Sequence, residues 1–71
     1  MKSFSRYIGE DTNKDLVNAR SSYQDELEAI DKYTTQIAEC QDKDLKKILE
    51  HNLGEEKDHA AALKKWIEGN K

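Results

Sequence analysis

The sequence predicts an all-α fold, an antiparallel two-helix hairpin, on three observations. There is no proline in 71 residues. Apolar residues recur at steps of three and four along two long segments, and one short polar stretch separates those segments. Charged residues make up 38% of the chain and hydrophobic ones only 35%, the balance of amphipathic helices with solvated outer faces rather than of strands.

Residues 1–10 show neither a period nor a strong cap and are read as a flexible N-terminal arm. The hairpin occupies residues 11–71. Asp11, Thr12 and Asn13 are N-cap residue types, Asp15 suits the positive end of a helix dipole, and an apolar period begins at Leu16. It continues through Ala19, Tyr23, Leu27, Ile30, Tyr33 and Ile37, which predicts a helix over about 13–40. The polar residues that follow Cys40 predict a turn at 41–43, with Asp42 or Asp44 as the cap of the next helix. Leu45, Ile48, Leu49, Leu53, Ala60, Leu63, Trp66 and Ile67 resume the spacing, so a second helix spans about 44–68, with Gly69-Asn70 as its stop. A turn this short makes the two helices antiparallel neighbours. Each apolar stripe is too wide for one neighbour, and two hairpins pairing into a ferritin-like four-helix bundle would cover both.

Composition excludes several functions. A net charge of −3 and a pI near 5.3 are the opposite of a nucleic-acid footprint. The single Cys40 makes no internal disulfide, so a reducing, cytoplasmic setting is expected. No run approaches the roughly 20 apolar residues of a membrane span, and the first residues lack the apolar centre of a signal peptide.

Three ionisable residues fall where apolar ones are expected. With Leu49 as reference, the apolar residues of the second helix fill an arc roughly 140° wide that contains Glu56 and His59. The corresponding arc of the first helix, roughly 120° wide, contains Glu26. Asp25, Glu28, Glu55, Lys57 and Asp58 fall at or beyond the edges. With the turn near residue 42, Glu26 lies about as far before it as Glu56 and His59 lie after it, so the three meet at one level. A lone carboxylate in an apolar interior is costly unless it is protonated, paired or bound to a cation. Carboxylate-bridged di-iron bundles take one Glu from each of two helices and a Glu-x-x-His pair from each of the other two. One hairpin holds half of that set, and a twofold dimer holds all of it. Oxygen and imidazole ligands favour iron or manganese, and iron is the expected metal.

The run from Asp25 to Asp31, with Glu50-His51-Asn52 and Glu55-Glu56-Lys57-Asp58-His59-Ala60-Ala61, resembles the encapsulated ferritins, a ferritin-like family of short helical hairpins, over about residues 10–68. The resemblance implies a ferroxidase that oxidises ferrous iron at a di-iron centre between two subunits, for iron storage or detoxification. It further implies an annular decamer inside an encapsulin nanocompartment. On that resemblance Glu26, Glu56 and His59 match the di-iron ligands and Tyr33 a tyrosine beside them. Asp25 and Glu28 match an acidic pair that guides or holds metal outside the centre, with Asp in place of Glu at the former. Lys32 stands where the family often has Trp. The family's further C-terminal helix and shell-targeting tail have no counterpart in residues 1–71.

The alternatives are a rubrerythrin-like peroxide reductase, which uses similar ligands, and a non-enzymatic helical-hairpin interaction module. Plainer readings compete at each residue: a salt-bridged cluster for Glu26, Glu56 and His59, simple packing for Tyr33, and a solvated acidic face for Asp25 and Glu28. His51 falls about 140° from Glu56 and is expected to face outward.

Overall fold

The computed structural model of the chain describes residues 6–70. Two helices account for nearly all of them: α1, Arg6–Glu39, and α2, Lys43–Asn70. They pack against each other along one seam, in a rod 55 Å long and 17 by 14 Å across.

The three residues from Cys40 to Asp42 reverse the chain. Asp42 decides where α2 begins. Its Oδ1 accepts the Leu45 backbone N–H at 2.8 Å, and its carbonyl accepts the Lys46 N–H at 2.9 Å. That is an N-cap, filling one of the donors a helix start leaves without a partner. Asp44 follows in the first turn, where a negative charge suits the dipole. Of the two expected caps, Asp42 takes the role, and the turn sits one residue earlier than 41–43.

Both outer ends run further than the sequence reading. α1 already includes residues 6–10, within the stretch read as an arm, while residues 1–5 lie outside the described residues. Cap-type residues at 11–13 permit a helix start without compelling one, and adding a residue to a formed helix costs little where no proline intervenes. At the other end α2 passes through Gly69 to Asn70. There the Asn70 Nδ2 donates to the Trp66 carbonyl at 2.7 Å. A terminal carbonyl is thus satisfied by a side chain, without a left-handed glycine.

The seam alternates steps of three and four. On α1 the half-buried line is Leu16, Ala19, Tyr23, Glu26, Ile30, Tyr33 and Ile37; on α2 it is Leu49, Leu53, Glu56, Ala60, Leu63 and Ile67. This is the heptad line of a two-stranded coiled coil. Ala60, 7% exposed, is the one buried residue among the described residues.

The hairpin leaves much apolar surface open. Leu45, Ile48 and Trp66, which fall in the α2 stripe by periodicity, are 48%, 58% and 40% exposed. They lie to one side of the seam, beyond the reach of α1.

Candidate metal centre

Glu26 and Glu56 occupy seam positions that heptad logic assigns to apolar residues. Each retains about a quarter of its side-chain exposure. Glu56 and His59 are one turn apart on α2, and helical side chains lean toward the N-terminus, so the imidazole folds back over the carboxylate. The His59 Nδ1 lies 3.1 Å from the Glu56 Oε1 and 3.9 Å from the Glu26 Oε1. One donor atom from each of the three residues falls within 4.8 Å of the others, close enough to hold a metal ion.

The electrostatics follow from two carboxylates meeting across the seam. Glu26 holds its proton above the ordinary glutamate range, chiefly because it is hydrogen-bonded to Glu56, with partial burial and the Glu56 charge adding to the effect. Glu56 is held below that range, chiefly by the same hydrogen bond and further by His59 and the Lys32 charge. The two carboxylates therefore favour the state in which one proton lies between them over the state in which both are charged. A cation held between the two carboxylates would compete with that proton.

His59 departs from the sequence expectation. It does not lie in the core of a single hairpin: its side chain is 60% exposed and flanks the seam. Glu26 and Glu56 close one side of the ligand group, and His59 leaves the other open.

The remaining predicted residues do not join the group. Tyr33 lies on the seam two turns beyond Glu26, half-buried, with the Lys32 ammonium 5.1 Å from its ring centre. Asp25 and Glu28 are exposed, and Glu28 accepts a long hydrogen bond from Gln24 at 3.5 Å. His51 faces solvent as expected, its Nε2 3.4 Å from the exposed Glu55 carboxylate. Asn52, a half-buried amide one turn before Glu56, is absent from the sequence expectation although helical phase places it inside the α2 arc. The seven-residue spacing to His59 is a second signal for it.

Comparison with known proteins decides what kind of hairpin this is. The EncFtn-like family model matches residues 6–71. The chain belongs to this family. It is 39% identical over 66 residues, 93% of its length, to a protein named ferritin-like from Thermotoga maritima. It is 43% identical over 49 residues, 69% of its length, to one named encapsulated ferritin-like from Rhodospirillum rubrum. The matches span 56% and 35% of those relatives' own lengths. No solved structure matches the chain. Membership of the EncFtn-like family bears out the resemblance read from Glu26 and the Glu56–His59 pair. Among the described residues no helix is long and apolar enough to cross a membrane.

Proposed function

We propose that this chain supplies one half of a ferroxidase centre, completed by the same residues of a second copy. The observation that carries the reading is the convergence of Glu26, Glu56 and His59 within 4.8 Å. Two carboxylates and one imidazole suit iron, while Cys40 sits at the turn, 14 residues along α1 from Glu26 and roughly 21 Å away. Iron is the substrate here, and two ferrous ions held together pass electrons to dioxygen.

The chain's own residues supply geometry and charge. Glu26 and Glu56 neutralise the entering cations and tolerate both oxidation states, because a carboxylate can shift between bridging and terminal binding. His59 presents Nδ1 to the same point. Three donors from one chain leave a metal ion under-coordinated, and the open side of the group is the His59 side. That side also carries exposed Ile48 and Trp66, apolar surface that a second hairpin would cover.

The homodimer is therefore the minimal active unit. Family membership supports its assembly into an annular decamer and its housing in an encapsulin shell in the cytoplasm. Tyr33 takes a supporting position along the seam, and exposed Asp25 and Glu28 offer a secondary acidic site for incoming metal. Stopped-flow oxidation tests the reading: rapid loss of ferrous iron on mixing with dioxygen is expected for the native chain, and not for Glu56→Ala with its helices intact. Unchanged oxidation in that variant refutes the site. A clear preference for peroxide over dioxygen would instead indicate a peroxide reductase.

A further inference from the structure

We infer that Asn52 sets the register in which a second copy of this chain seats against α2, an inference that rests on the dimeric centre proposed above. Leu45, Asn52, His59 and Trp66 recur every seven residues on α2. Seven residues bring a helix almost back to the same direction, with a drift of about 20°. The four thus form a second heptad line beside the hairpin seam. Leu45, His59 and Trp66 on it are exposed, and Ile48 stands alongside them.

Apolar contacts on such a line do not select a register, because they are non-directional. The metal centre does require one. A slip by one heptad displaces the partner's Glu56 by roughly 10.5 Å along the axis, too far for two half-sites to share ions. His59 is spent as a ligand, which leaves Asn52 as the polar group on this line able to discriminate. It is already half-buried in the hairpin. A second copy would remove the rest of its water, and a desolvated carboxamide is costly unless its donors and acceptors find partners. A single buried Asn fixes register in coiled coils by this means, and lowers stability in doing so.

The test is Asn52→Leu, compared with the native chain by native mass spectrometry and sedimentation, before and after anaerobic loading with ferrous iron. The variant is expected to associate about tenfold more tightly, because an apolar side chain replaces the amide. It is expected to give mixed oligomers whose iron per chain falls by half or more, with helicity by circular dichroism unchanged. Tighter association with less metal is a combination that mere loss of packing does not produce. A variant with the native oligomer and native iron content overturns the inference, as does one in which association and iron content fall together. A native chain that shows no iron-linked association overturns the dimeric centre itself, and this inference with it.

Discussion

The His59 Nδ1 lies 3.1 Å from the Glu56 Oε1, so the imidazole of α2 is aimed at the carboxylate that also faces Glu26 across the seam. This geometry makes Glu56 the hub of the ligand group. Glu56→Gln removes the charge while keeping the shape. Isothermal titration with ferrous or manganous ion is expected to show binding weakened at least 100-fold, in line with the loss of a direct ligand, while circular dichroism shows unchanged helix. Binding within a few-fold of the native value would mean that the three residues form a register-fixing cluster only.

The opposed shifts of the two carboxylates set a pH dependence. Glu26 has a raised pKa, so its contribution to the metal-free fold is present at low pH and is lost as pH rises through the raised value. Glu56 has a lowered pKa, so its contribution is present above the ordinary glutamate range and is lost as pH falls through the lowered value. The pair is thus most favourable in the acidic window between the two. Thermal unfolding of the metal-free native chain is expected to show the Glu26 contribution declining on the alkaline side of that window. Glu26→Gln removes this decline. Metal affinity is expected to run the other way, rising with pH as the Glu26 proton becomes easier to displace.

Ala60 separates packing from chemistry. It is 7% exposed on the strip of α2 that α1 covers, so added methyl groups would press on the facing helix. Ala60→Leu is expected to cost about 1–3 kcal/mol by overpacking. It should also spread Glu26 from Glu56, so urea denaturation and metal titration are expected to worsen together.

Gly54 offers the opposite case. A Cβ built at this position meets nothing within 4 Å, and the residue is exposed in mid-helix. Gly54→Ala is expected to stabilise the hairpin by about 1 kcal/mol, raising the urea midpoint and leaving metal binding unchanged.

The Glu26, Glu56 and His59 group is legible because the helical period is rigid: the phase of Leu16 to Ile37 and of Leu49 to Ile67, with a turn near Asp42, fixes the level of each residue. Helix ends were less legible. Asp11 to Asn13 and Gly69 are statistical markers of termini, and a proline-free chain can run through them. Nor could angular phase show that His59 belongs to the rim of the seam. An arc roughly 140° wide on one helix includes both the strip that α1 covers and the strip left open beside it. Only the position of α1 divides the two, placing Glu56 and Ala60 on the covered strip and Ile48, His59 and Trp66 on the open one.

The central claim is that each hairpin holds half of a site. Native mass spectrometry of the chain with and without anaerobic ferrous iron tests it most directly. The account predicts that iron appears on even-numbered assemblies, as one pair of ions for every two chains, and that it shifts the population toward them. Iron bound with equal affinity to single chains, or assemblies indifferent to iron, would contradict it.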